Sequence, residues 1–187
     1  MTDEIKRIAE ENGLNPYFLA AVADVESGGR SGFRNYSGSP GHPVIRFEPH
    51  HFNKRSAYRM PFTNCGRGFS RRPEETGWTA FLEAYRLDES AAIQATSWGM
   101  FQIMGFHFRN LGYDTPQEFR KAMFSETGQY ESFAKFIKSH KVLRRAASIA
   151  EPQDRDFRDF ARSYNGSSNV DNYSRKIARA YAREMSA

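Results

Sequence analysis

The chain has 187 residues, 39% of them hydrophobic and 26% charged, enough for one compact domain with a sizeable core, residues 1–187, and little room for a second. Its net charge of +5 and pI of about 9.4 draw it to polyanions, whether nucleic acid, an anionic membrane face or acidic wall polymers. The single cysteine, Cys65, excludes an internal disulfide framework. No apolar run reaches the roughly 20 residues of a membrane span, and Met1-Thr2-Asp3-Glu4-Ile5-Lys6-Arg7 lacks the apolar core of a secretory signal, so a cytosolic product is expected.

Most of the sequence reads as helices separated by stop signals, without repeats or low-complexity linkers, which predicts a mainly α fold. A first helix over about Asp3 to Asn12 stops at Gly13, and Asn15-Pro16 then supplies an N-cap and a proline at the first helical position. In the helix that follows, Phe18, Leu19, Ala20, Ala21, Val22, Ala23 and Val25 are apolar almost all round, the pattern of a buried helix, and Gly28-Gly29 ends it. Val44-Ile45-Arg46-Phe47, short and β-branched, predicts a strand or hairpin and hence a small sheet. The basic stretch Lys54, Arg55, Arg59, Arg67, Arg71 and Arg72, punctuated by glycine and proline, predicts a loop that is either a solvated surface or a polyanion contact. Further helices fit Asp88 to Ala95, Met100 to Asn110, and the segment opened by the capping box Thr115-Pro116-Gln117-Glu118. Tyr130, Phe133, Phe136, Ile137 and His140 repeat at helical period, as do Phe157, Phe160, Ala161 and Tyr164, and then Tyr173, Ile177, Ala180 and Tyr181.

Glu26 stands near the end of the buried second helix, one turn beyond Val22. The partial negative charge of a helix C-terminus and desolvation by apolar neighbours both disfavour ionisation and predict a raised pKa. A carboxylic acid still protonated near neutral pH suits glycosidic cleavage, in which the leaving oxygen must gain a proton. A lone glutamate here is as readily a structural hydrogen-bonding group.

Val25-Glu26-Ser27-Gly28-Gly29 does not stand alone. Ser97-Trp98-Gly99-Met100-Phe101-Gln102-Ile103-Met104 resembles the Ser-x-x-Gly-x-x-Gln type signature of goose-type lysozymes and lytic transglycosylases, and Ser163-Tyr164-Asn165-Gly166 resembles their Ala-Tyr-Asn-x-Gly. Phe47-Glu48-Pro49-His50-His51-Phe52, followed by Ser97-Trp98-Gly99 and Tyr164-Asn165-Gly166, resembles the phage and prophage N-acetylmuramidase family from about Leu14 to Tyr181. The resemblance implies a lysozyme-like α+β fold, a helical domain with a small β-hairpin beside the active-site cleft.

Physically, Gly99 is a small residue where a sugar could approach the backbone, and Gln102 can donate and accept hydrogen bonds. Tyr164, Asn165 and Gly166 form either a polar cluster suited to an N-acetyl group or a left-handed helix terminator. Trp98 and Tyr164 are the aromatics expected to contact substrate; Trp78 and Phe101 could also stack on a sugar, though most aromatics fill core space. Glu48 is the candidate second carboxylate, or else a structural partner of Arg46, His50 or His51. His42, His50 and His51 cluster in sequence near Glu48 and Cys65, but no His-Glu-x-x-His helix and no paired Cys-x-x-Cys units support a zinc site.

The resemblance thus implies an endolysin-type muramidase acting on peptidoglycan glycan strands. Glu26 would be the general acid, Glu48 a base for water, and Ser97, Trp98, Gln102, Tyr164 and Asn165 the substrate-binding residues. It implies no cofactor and no metal, with monomer the default. Anionic wall or outer-membrane polymers are further partners through the basic residues. Release would be through a holin pore or by injection. The alternatives are a lytic transglycosylase leaving 1,6-anhydro ends and an inactive wall-binding module; a nucleic-acid binder lacks any motif beyond charge.

Overall fold

Every residue from Phe18 to Ala23 is buried, as a helix apolar on all sides must be. That helix is the centre of one of two compact units in a computed structural model of the chain, which describes residues 1–28, 32–36, 39–60 and 73–186. The first unit joins Met1–Arg30 to Tyr130–Ala187, and the second is Ser31–Gln129. Cys65, Arg67, Arg71 and Arg72 lie outside the described residues, and no described helix is long and apolar enough to cross a membrane.

In the first unit, α1 (Asp3–Glu11) starts at Thr2, whose hydroxyl accepts from the Ile5 N–H at 3.3 Å, and buries Ile5, Ile8 and Ala9 against α2 (Pro16–Ser27). Asn15 caps α2 as the sequence predicts, accepting from the Tyr17 and Phe18 N–H groups at 3.0 and 3.2 Å. Its amide also donates to the Ile149 and Ala150 carbonyls at 2.9 and 3.1 Å and to the Tyr181 hydroxyl at 3.2 Å. One buried side chain thereby fixes α2 to residues far along the chain, and its loss costs more than the ~1 kcal/mol of an ordinary cap because further polar groups would be left unmatched.

The first unit also holds most of α7 (Glu126–Ser139), together with α8 (Lys141–Ala147), α9 (Asp154–Asn165) and α10 (Val170–Ser186). α10 packs on α2 and on α9. Of the stripes read from helical spacing, Tyr130, Phe133 and Ile137 on α7, Phe157, Phe160 and Ala161 on α9, and Tyr173, Ile177, Ala180 and Tyr181 on α10 are buried, whereas Phe136 and Tyr164 are half-buried and His140 is exposed. Phe18 stacks on Phe157 (centroids 5.5 Å) and meets Phe160 edge-on at 5.0 Å. Each ring so buried contributes roughly 1.5–3 kcal/mol.

The second unit carries the β structure. β1 (Phe33–Tyr36) and β2 (Ser39–Pro43) form an antiparallel hairpin with a bulge. β3 (Ile45–Phe47), β4 (Thr96–Trp98) and β5 (Ile103–Met104) form a second antiparallel sheet in the order β3-β4-β5, with Arg46 opposite Ser97 and Ser97 opposite Met104. Between β3 and β4 run α3 (Pro49–Arg55), α4 (Pro73–Leu87) and α5 (Glu89–Gln94). α4 is an addition to the elements expected above; its signal is the helical spacing of Trp78, Phe81, Ala84 and Tyr85. Asp88 caps α5 by accepting from the Ala91 N–H at 3.0 Å.

The expected helix over Met100 to Asn110 is overturned. Residues 99–102 turn the chain between β4 and β5, and Gly105–Leu111 is a 3-10 helix. Phe101, Ile103 and Gly105 are buried while Gln102 between them is exposed, so burial here has the period of two of a strand. After it comes α6 (Pro116–Ala122), where Thr115 accepts from the Glu118 N–H at 3.2 Å. Glu118 reaches back one residue further than a capping box requires, to the Asp114 N–H at 2.9 Å.

Candidate active site

Glu26 sits in the last turn of α2, which closes on Gly28 in a left-handed cap (φ 56°, ψ 34°) whose N–H donates to the Asp24 carbonyl at 2.9 Å. The side chain is partly buried. Burial holds its carboxyl above the ordinary carboxylate range, and a hydrogen bond donated by the Tyr173 hydroxyl to Glu26 Oε1, which favours the charged form, works against this and is the smaller effect. No cation pairs with Glu26 among the described residues. The neighbouring acid Asp24 is held instead by Arg183 at 2.6 Å.

Tyr173, from α10, was foreseen only as one residue of an apolar stripe. Its phenol is pushed upward by burial and then by the Glu26 charge, so it stays a hydrogen-bond donor throughout the range in which proteins fold. Tyr164 of the third motif lies beside it, the rings nearly parallel with centroids 6.2 Å apart. Burial and Glu26 also raise the Tyr164 phenol. Tyr164 therefore belongs to the surroundings of the acid, packed against Phe133, Phe136 and Phe160. Asn165 ends α9 exposed to solvent. Gly166 follows at φ 77°, ψ −178°, a conformation open essentially to glycine alone. The motif therefore terminates α9, with Gly166 extended in ψ and not in the left-handed cap expected.

The second unit gathers another set. Glu48 follows β3 and precedes Pro49 at the start of α3. Its Oε1 takes an ion pair from Arg46 Nε at 2.8 Å, and its Oε2 lies 3.6 Å from His50 Nδ1. Ser97, paired with Arg46 across β3 and β4, is buried and donates to Gln102 Oε1 at 2.9 Å. Gln102 in turn donates to the Gly99 carbonyl at 2.8 Å. Ser97 and Gln102 therefore tie the two ends of the 99–102 turn together, with Gln102 held at φ 49°, the sole non-glycine at positive φ among the described residues.

Two expectations are corrected here. Trp98 is fully buried, its indole N–H donating to the Ile93 carbonyl at 3.0 Å and its ring meeting Phe81 edge-on. It has no face left for a sugar and is a core residue. Gly99 is small for an internal reason: at φ 71° its absent Cβ would stand 2.7 Å from the Gln129 side chain. Gln129, 1% exposed, accepts from the Met100 N–H at 2.8 Å and donates to the Met123 carbonyl at 2.9 Å. Nothing in the local sequence marks it, because its partner at Met100 is 29 residues away. Trp78 is likewise in the core, stacked on Tyr36 at 4.8 Å.

Helices packed on a core helix whose last turn carries an acid with no cation paired to it among the described residues, with a small antiparallel sheet in the intervening sequence, describe the lysozyme-like class of glycoside hydrolases. The comparisons narrow this. The chain matches the muramidase family, described as N-acetylmuramidase, over residues 15–184 and belongs to it. It is a peptidoglycan-degrading enzyme. Among solved structures it is similar to a Burkholderia AP3 phage endolysin, with a TM-score of 0.76 and 28% identity over 98% of this chain and 69% of that one. None of the curated proteins matches the chain.

Proposed function

We propose that the chain hydrolyses the β-1,4 bond between N-acetylmuramic acid and N-acetylglucosamine, with Glu26 as the general acid that protonates the leaving oxygen. The observation that carries this reading is the state of Glu26 itself: a carboxyl raised by burial, without a cationic partner among the described residues, and steadied by the Tyr173 hydroxyl. A proton retained near neutral pH is what the departing sugar needs. Glu48, held by Arg46 and His50, is the candidate base for the attacking water. Gln102, fixed by Ser97, and Tyr164 with Asn165 are the groups proposed to hold the glycan. In this reading residues 1–187 act as one catalytic domain and as a monomer without metal or cofactor, reaching the wall after release through a holin pore or by injection.

The double grip on Glu48 also favours a second reading, in which it is a structural pin and the muramic acid hydroxyl replaces water, giving 1,6-anhydro ends. Mass spectrometry of digested muropeptides separates the two. Hydrolysis yields reducing muramic acid ends, whereas a product set dominated by species lighter by one water overturns it. Glu48→Gln is expected to lower turnover by about a hundredfold or more if Glu48 is the base; near-normal turnover in the folded variant assigns it to the pin.

A further inference from the structure

We propose that the groove between α9 and α10 on the face turned away from Glu26 is a separate binding site for a phosphorylated saccharide. Asp171 and Arg175 lie two residues either side of Tyr173, roughly 160° round the helix from it, so the groove opens opposite the acid. Its larger lobe, about 430 Å³, is lined by Arg158 and Arg162 of α9, Arg175 of α10, and Ser167, Ser168 and Asn169 of the connecting turn. Three guanidiniums face it against the one carboxylate of Asp171.

Two of those guanidiniums are unspent. Arg158 is engaged by Asp171 at 2.6 Å, but Arg162 makes no hydrogen bond or ion pair among the described residues. Arg175 uses only its Nε, on the Asp171 carbonyl at 2.9 Å, leaving both terminal nitrogens available. Like charges held together are unfavourable unless an anion joins them. Guanidinium forks, hydroxyls and an amide arriving from two helices and a turn offer more donors than a planar carboxylate can accept. A phosphate group, with a charge of roughly −1.5 to −2 and at least three acceptor oxygens, matches both the charge and the donor count.

The adjoining lobe says what carries the phosphate. It measures about 290 Å³, shares Arg158, Asp171 and Arg175 with the first, and adds Asp154, Ser174, the half-buried Ala178 and the rim of the otherwise buried Phe157. An apolar edge beside a carboxylate suits a sugar ring, whose C–H face packs on the former and whose hydroxyls donate to the latter. The same carboxylate repels a phosphate, so the ligand lies with its phosphate at Arg162 and Arg175 and its ring at Ala178 and Asp154. The two lobes together fall in the usual size range of small-ligand sites.

The test is calorimetric titration of the full chain with glucose 1-phosphate, inorganic phosphate and glucose, in about 150 mM salt to suppress diffuse attraction. These probes avoid N-acetyl sugars, so failure here is distinct from failure of the muramidase reading. Glucose 1-phosphate is expected to bind about tenfold or more tighter than inorganic phosphate, with glucose alone undetected. Arg162→Ala/Arg175→Ala weakens it by about tenfold or more, the loss of charge-assisted bonds, while Lys6→Ala/Arg144→Ala, which removes equal charge elsewhere, does not. All four side chains are exposed, so both variants should melt with the parent protein. Absence of binding, or equal weakening by both pairs, overturns the site; equal affinity for glucose 1-phosphate and inorganic phosphate overturns the sugar lobe.

Discussion

At the scale of single residues, Glu26 was legible because its signals are local: a charged residue one turn past an apolar run, just before glycine. Tyr173 was not, because a tyrosine in an apolar stripe reads as core until the partner of its hydroxyl is known, and that partner is 147 residues away. The pair makes opposed predictions. Glu26→Gln keeps the volume but supplies no proton, so activity on purified peptidoglycan should fall by several orders of magnitude in a folded protein. Burial raises the folded pKa of Glu26 above its unfolded value, so its contribution to stability is complete below the ordinary carboxylate range and is lost as pH rises through the folded pKa. Glutamine, always neutral, escapes that loss. Thermal melts from about pH 4 to pH 8 should therefore show Glu26→Gln gaining on the parent protein as pH rises through that window. Tyr173→Phe removes a bond that favours the carboxylate, so the Glu26 pKa climbs further and the alkaline limb of the activity profile moves to higher pH. An unmoved limb would show that the tyrosine does not act on the acid.

Among elements, the caps and the helical stripes could be read from neighbours in sequence, and they hold: Asn15 on α2, Thr115 on α6, Phe157 and Phe160 on α9. Of the strands only β3 could, from the β-branched run at Val44 to Phe47; β4 is defined by partners 51 residues earlier in β3 as well as by β5. That is why Met100 to Asn110 looked helical and why Trp98, an aromatic inside a functional motif, looked like a sugar platform. The 99–102 turn carries the clearest consequence. Gly99→Ala forces a left-handed conformation on a side chain and drives its Cβ into Gln129, so it should lower stability by about 1–3 kcal/mol in urea unfolding. It should also raise KM if Gln102 binds glycan, because the turn that aims Gln102 is displaced. A loss of stability with KM intact would confine the turn to a structural role.

For the whole molecule, the net charge of +5 predicts that activity on intact wall declines as salt rises from low to a few hundred millimolar, through screening of attraction to anionic wall polymers. Turbidity clearing across a salt series reads this directly, and a flat profile would leave the basic residues as solvated surface. The division of the chain was not legible, because the first unit is made of two stretches with the second between them and no linker-like stretch marks either join. That interrupted layout sets a timetable. Glu26 leaves the ribosome before α10, the helix that completes its surroundings, by roughly 7–30 s at ordinary rates of synthesis. Until then α2 has no α10 to bury against, and the acid has neither its dry setting nor its tyrosine. If Glu26 is the general acid, a chain truncated before residue 170 should show no clearing of purified peptidoglycan in a turbidity assay, and clearing by such a chain would overturn that dependence.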